Sequence, residues 1–263
     1  MITFEITICE KCNKFCFCDY CNLPNYDDRR QIELDNKLDE SIQLLLTIHD
    51  KLNIPHEFIL GGIGEPGLCT ENKLQYILDK LPISMLSTTG DILKYSIDLP
   101  TSLHIAIPED EYLAKQYAGK AKIWTIFSSI QDSNRYTSEV YDAIYLEGDP
   151  LTKQFDYSML DLPYPNLVKP DISIIEKDRM VCRNYTPYIT INLTRHTIAM
   201  CSCYNSYIQI PLTYENLVAV LTTSIFAKNT ENCSYCFRNC FGLYALHSQY
   251  LQQRLKLKQL FGG

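Results

Sequence analysis

Five of the twelve cysteines stand within thirteen residues, Cys9-Glu10-Lys11-Cys12-Asn13-Lys14-Phe15-Cys16-Phe17-Cys18-Asp19-Tyr20-Cys21. Thiolates at such short intervals bind soft metal ions or iron–sulfur clusters, or serve as redox groups. A second set lies far downstream at Cys182, Cys201, Cys203, Cys233, Cys236 and Cys240. Of these, Cys182, Cys201, Cys233 and Cys236 can supply four thiolates from a loop, a hairpin end and a Cys-x2-Cys turn, which suits either a closed zinc site or an iron–sulfur cluster. Cys203 and Cys240 could substitute in that set. Cys69 stands alone and reads as a small buried residue. The other stretch able to do chemistry is Gly61-Gly62-Ile63-Gly64-Glu65-Pro66-Gly67. Its glycines would let the backbone approach a ligand closely, and Glu65 could accept hydrogen bonds from an ammonium group. Taken alone, Glu65 would more often be a surface acid.

Composition narrows what these groups are for. The chain has 263 residues, 46% hydrophobic and 21% charged, which is ordinary globular usage. A net charge of -7 argues against nucleic acid as a partner, which would want Lys/Arg-dense faces. The longest apolar candidate for a membrane span, Ile42 to Ile48, is far short of the roughly 20 residues required. The first residues lack the positively charged start of a signal peptide. We therefore expect a cytoplasmic protein, in which clustered cysteines are metal ligands or redox groups rather than disulfides.

The elements that must position these residues follow from periodicity. Met1 to Ile8 alternates as a first strand and delivers the cysteine loop at its end. Leu38, Ile42, Leu45, Ile48 and Leu52 recur at helical spacing, and Glu57 to Leu60 forms a second strand running into the glycine loop. Thr70 is placed to cap a helix carrying Leu74, Ile77, Leu78 and Leu81. Further strands are expected at Ser84 to Thr88, Ser102 to Ile107, Lys122 to Phe127 and Ala143 to Leu146, with a helix from Pro108 to Ala118. Strands alternating with helices imply right-handed crossovers and a parallel sheet. Six such units predict an α/β fold, a partial (β/α)6 barrel over residues 1–162. From about Pro163 the rhythm changes. A hairpin around Thr194-Arg195-His196, a helix over Leu212 to Phe226 and a closing helix over Leu243 to Leu260 predict a small C-terminal α+β domain over residues 163–263.

In parallel α/β folds, ligands sit at the carboxyl ends of the strands. Both the first cysteine loop and the glycine loop occupy that end. At this point the chain resembles the radical S-adenosylmethionine enzymes. Cys12-Asn13 resembles the opening of their cysteine motif, and Cys18-Asp19-Tyr20-Cys21-Asn22-Leu23-Pro24 resembles its close. Gly62-Ile63-Gly64-Glu65-Pro66 is similar to the family's Gly-Gly-Glu-Pro motif, and Ser87-Thr88-Thr89-Gly90 to its Thr-Asn-Gly turn. The likeness spans roughly residues 3 to 150. The usual Cys-x3-Cys-x2-Cys spacing is broken by Lys14. The ligand set is either Cys12, Cys18 and Cys21, which matches the closing half best, or Cys12, Cys16 and Cys21, with Cys9 able to compete. Ala106 stands where many relatives carry a cofactor-contacting Ser.

The resemblance implies a 4Fe–4S cluster on Cys12, Cys18 and Cys21, chelated by S-adenosylmethionine, with Tyr20, Gly62, Gly64, Glu65, Pro66 and Thr88 around the cofactor. It also implies one-electron reductive cleavage to a 5′-deoxyadenosyl radical that abstracts hydrogen from substrate, with an electron donor such as a flavodoxin or ferredoxin. The second cysteine set is similar to the family's twitch and SPASM extensions, which implies an auxiliary 4Fe–4S cluster on Cys182, Cys201, Cys233 and Cys236. The expected activity is modification of a peptide or small natural product. No leader-peptide-binding domain is expected ahead of the first strand. Two other readings are a glycyl-radical enzyme activase and a non-enzymatic zinc-stabilised binding module. The five histidines are scattered and read as surface or core.

Overall fold

The computed structural model describes residues 2–11, 37–62, 64–105, 115–117, 119–127, 130–131, 140–146, 155–169, 188–199, 209–222, 256 and 259–261. The strands are β1 (Ile2–Thr7), β2 (His56–Leu60), β3 (Ile83–Thr88), β4 (Ser102–Ile105), β5 (Lys122–Phe127), β6 (Ala143–Leu146), β7 (Leu167–Val168), β8 (Tyr188–Asn192), β9 (Thr197–Ala199) and β10 (Ile210–Pro211). The helices are α1 (Leu38–Lys51), α2 (Glu71–Lys80) and α3 (Tyr214–Thr222). All ten strands join one sheet in the order β10-β9-β8-β1-β2-β3-β4-β5-β6-β7. From β8 through β7 every pairing is parallel, and only β9 and β10 run antiparallel to their neighbours.

The six expected strands and the hairpin therefore form, and the fold is a mixed α/β sheet that is mostly parallel. Two features were not anticipated. Strands β7 and β10 are two residues each, too short to carry a period. The hairpin strand β8 docks beside β1 in parallel, with Thr3 opposite Tyr188 and Thr7 opposite Asn192. The expected helix at Pro108 to Ala118 is described only at residues 115–117, which are helical. Most of the expected closing helix lies outside the described residues.

The sheet has two chemically distinct faces because side chains alternate along each strand. On one face Ile2, Phe4 and Ile6 of β1 are fully buried with Phe58 and Leu60 of β2, Leu86 of β3, Leu103 of β4 and Ile189 and Ile191 of β8. Helix α1 packs there through Ile42, Leu45 and Ile48, and α2 through Leu74 and Ile77, the helical stripe the spacing predicts. Phe4 and Phe58 stack with ring centroids 5.0 Å apart. Thr70 is the N-cap of α2 in extended backbone but makes no side-chain capping bond. No helix among the described residues is long and apolar enough to cross a membrane.

The opposite face is polar and aromatic. The Thr190 hydroxyl donates to Glu5 at 3.4 Å. Ser87 and His104 Nδ1 share a hydrogen bond at 3.1 Å. His104 lies flat on Trp124, 4.0 Å between centroids at 4°, and Tyr145 meets the indole edge-on at 5.3 Å. The indole N–H donates to Ser102 at 2.9 Å.

Candidate cofactor site at the strand ends

The carboxyl ends of β1, β2, β3 and β8 lie side by side, because these strands are parallel neighbours. The glycine loop leaves β2 and turns over β1: Gly61 N–H donates to Ile6 O at 3.0 Å, and Thr7 Oγ1 donates to Gly61 O at 3.3 Å. Directly below the loop is the polar face, since a Cβ on Gly61 would meet Ser87 Cβ at 3.1 Å and Glu5 Oε1 at 3.9 Å.

Gly64 has φ +86, and a Cβ there would collide with the carbonyl oxygens of Cys9 and Lys11, the latter at 2.8 Å. Both obstacles are backbone and cannot rotate away, so glycine is required. The next residue completes the junction, Glu65 N–H donating to Lys11 O at 2.7 Å. The start of the first cysteine loop thus lies against the glycine loop, as two motifs sharing one ligand would require. Gly62, also at positive φ, leaves room for Thr7 Oγ1 where a Cβ would stand. Pro66 is buried and opens a 3-10 turn over Pro66–Leu68.

The Glu65 side chain is fully buried. Its Oε1 accepts the Gly67 N–H at 2.9 Å and the Thr88 hydroxyl at 2.6 Å, while Oε2 accepts the Thr89 N–H at 2.5 Å and the Thr89 hydroxyl at 2.9 Å. A carboxylate has about four lone-pair sites, so the protein itself fills them. Thr88 Oγ1 in turn accepts the Gly90 N–H at 3.0 Å, closing the turn after β3, where Gly90 has φ +109. Burial pushes the Glu65 carboxyl above its ordinary range, and the four donated bonds oppose that rise. The residues after β2 and after β3 are therefore held together by one acid.

Of the expected site residues, Gly62, Gly64, Glu65, Pro66 and Thr88 are brought together here. Cys12, Cys18, Tyr20, Cys21, Cys182, Cys201, Cys233 and Cys236 lie outside the described residues, as do Cys16, Cys203, Cys240 and Ala106. No group of three or more His, Cys, Asp or Glu able to hold a metal occurs among the described residues. Cys9 is half-buried, its sulfur accepts the Lys11 N–H at 3.4 Å, and burial raises its thiol pKa. Cys69 is buried as expected, and burial lifts its thiol to about 11.

Sequence reasoning missed Glu10 and Arg195. Arg195 Nη2 donates to Glu10 Oε2 at 2.9 Å across 185 positions, and Nε approaches Oε1 at 2.5 Å. Glu10 looks like a spacer inside Cys-x2-Cys, and Arg195 like a turn residue. Only the parallel docking of β8 on β1 brings them together, and no local pattern signals it.

One solved structure, a polyhistidine-tagged anSMEcpe with bound AdoMet, is similar over 100% of this chain and 95% of its own, at 12% identity and a TM-score of 0.47. No family model and no curated protein matches the chain.

Proposed function

We propose that this chain is a radical S-adenosylmethionine enzyme. The observation that carries the reading is the junction in which Gly64 and Glu65 lie against the carbonyls of Cys9 and Lys11. It sets the glycine loop and the segment leading to Cys12 at one sheet end, where the sequence motifs require a shared ligand. In this reading the mostly parallel sheet is the wall of a partial (β/α)6 barrel. Cys12, Cys18 and Cys21 hold a 4Fe–4S cluster, and Gly62, Gly64, Pro66 and Thr88, with Tyr20, border S-adenosylmethionine. Bound there, cluster and cofactor would supply one-electron cleavage of a carbon–sulfur bond and a hydrogen-abstracting radical.

The chain's own residues supply positioning. Glu65 spends its four acceptor sites on Gly67, Thr88 and Thr89, so in this arrangement it holds the cofactor-facing backbone in place. The polar face beneath the glycine loop, from Glu5 through Ser87 and His104 to Trp124, is the surface on which a peptide or small natural product would lie. Residues 163–263 would carry an auxiliary 4Fe–4S cluster on Cys182, Cys201, Cys233 and Cys236. The partner is a cytoplasmic electron donor such as a flavodoxin or ferredoxin.

Iron and acid-labile sulfide analysis of anaerobically purified protein tests this. Two 4Fe–4S clusters predict about eight irons and as many sulfides per chain. Zinc without sulfide would instead support a binding module. Incubation with reductant and S-adenosylmethionine should yield 5′-deoxyadenosine, and Cys21→Ala should abolish it while leaving the second cluster. Retained 5′-deoxyadenosine in that variant would refute the ligand set.

A further inference from the structure

We infer that Arg195 is a positioning residue for the first cysteine loop, acting through Glu10. The inference rests on reading that loop as a metal site. Glu10 stands between Cys9 and Cys12, and its side chain is only 4% exposed. Both of its oxygens are taken by protein donors, and burying an acid is unfavourable unless a cation compensates it. Arg195 does so with a two-pronged grip, Nη2 on Oε2 and Nε on Oε1, which fixes the orientation of the carboxylate as well as its charge. Asn192 adds a third bond, its Nδ2 donating to Glu10 Oε1 at 2.5 Å.

The platform behind the grip is itself held from several sides. The oxygen of that same Asn192 side chain accepts the Thr194 hydroxyl at 2.6 Å and the Arg195 N–H at 3.1 Å, closing the turn that carries Arg195. Leu193 N–H donates to Thr7 O at 2.9 Å, pinning the turn to the end of β1. His196, at φ 51, shares a hydrogen bond with Ser41 of α1 at 3.2 Å, and its carbonyl accepts the Leu212 N–H at 2.7 Å. Across the site, the neighbouring Lys11 carbonyl is held by Glu65 N–H. Two adjacent residues before Cys12 are thus gripped from opposite sides, by the hairpin turn and by the glycine loop. The β8–β9 hairpin becomes part of the support of the first metal site, and Arg195 sets both the path of the chain into it and the local charge.

The test compares wild type with R195A, R195K and the double variant E10Q/R195A, each checked for cooperative thermal unfolding. Two quantities are read: amide hydrogen exchange at Glu10 and Lys11, and the midpoint potential of the paramagnetic signal that S-adenosylmethionine perturbs. In R195A we expect exchange at these amides to speed up at least about tenfold through local opening. The midpoint should move to more negative values, because an uncompensated carboxylate disfavours the added electron. E10Q/R195A should restore the midpoint but not the slow exchange. R195K keeps the charge and loses the fork, so it should exchange faster with a midpoint near wild type, and it stands in if R195A fails to fold. Exchange as slow as wild type in folded R195A, or in R195K where R195A does not fold, overturns the inference, as does faster exchange with an unmoved midpoint in folded R195A. Wild-type protein with zinc and no sulfide would sink the enzyme reading instead, and the exchange rates alone would then decide whether Arg195 braces the loop.

Discussion

Glu65 and Thr89 meet twice across 24 positions, the Thr89 N–H and hydroxyl both donating to the same carboxylate oxygen at 2.5 and 2.9 Å. With Gly67 and Thr88 on the other oxygen, the acid ties the loop after β2 to the turn after β3. In Glu65→Gln, the amide nitrogen must face one of these donor pairs, each of which includes a backbone N–H that cannot turn. One buried N–H left unpaired costs about 1–3 kcal/mol. Urea unfolding should show that loss, and a Gln variant within about 0.5 kcal/mol of wild type would mean the four bonds do not act together.

The same burial gives a pH signature. The folded-state carboxyl of Glu65 lies above its ordinary 4.5, so the folded chain keeps a proton where the unfolded chain has lost it. Stability from this group is therefore full below the ordinary value and declines as pH rises towards the raised one. A protonated acid remains tolerable because a threonine hydroxyl can turn to accept its proton. The stability difference between wild type and Glu65→Gln should shrink as pH rises from about 4 to about 7. A difference that grows over that interval would show that the hydrogen bonds outweigh burial.

Gly64→Ala and Gly119→Ala separate backbone strain from loop contact. Both glycines have positive φ, but nothing lies within 4 Å of a Cβ at Gly119, whereas Gly64 faces the Cys9 and Lys11 carbonyls. Gly119→Ala should lose about 1–2 kcal/mol by conformational strain alone. Gly64→Ala should lose more and, on the proposed reading, should weaken S-adenosylmethionine binding measured by calorimetry. Equal losses in the two variants would argue that the junction is slack.

Cys69, with its thiol lifted to about 11, stays protonated at neutral pH. It should resist iodoacetamide in the folded protein and react after unfolding, as followed by mass spectrometry. On the proposed reading, Cys69→Ala should leave iron content unchanged. Loss of iron in that variant would make Cys69 a ligand after all.

Local patterns were legible wherever one face of a segment is buried. The stripe Ile42, Leu45 and Ile48 and the alternation Ile2, Phe4 and Ile6 announce α1 and β1, because period and burial are properties of neighbouring residues. The glycine loop could be placed at a strand end for the same reason. The two-residue strands β7 and β10 could not be read, having no period to show. The work of Glu65 could be read only in part: its place in the motif suggested a ligand contact, while its four internal donors come from three residues, two of them on another strand's turn.

The sequence alone determined the alternating strands and helices, the order of the motifs and the clustering of the thiols. These depend on residue type and spacing along one segment. Tertiary structure decided that β8 lies beside β1, that only glycine fits at position 64 because the Cys9 and Lys11 carbonyls pass it, and that Arg195 neutralises Glu10. Those relations join residues up to 185 positions apart. They depend on which strand edges meet, and strand pairing is governed by nonlocal packing that no local period records.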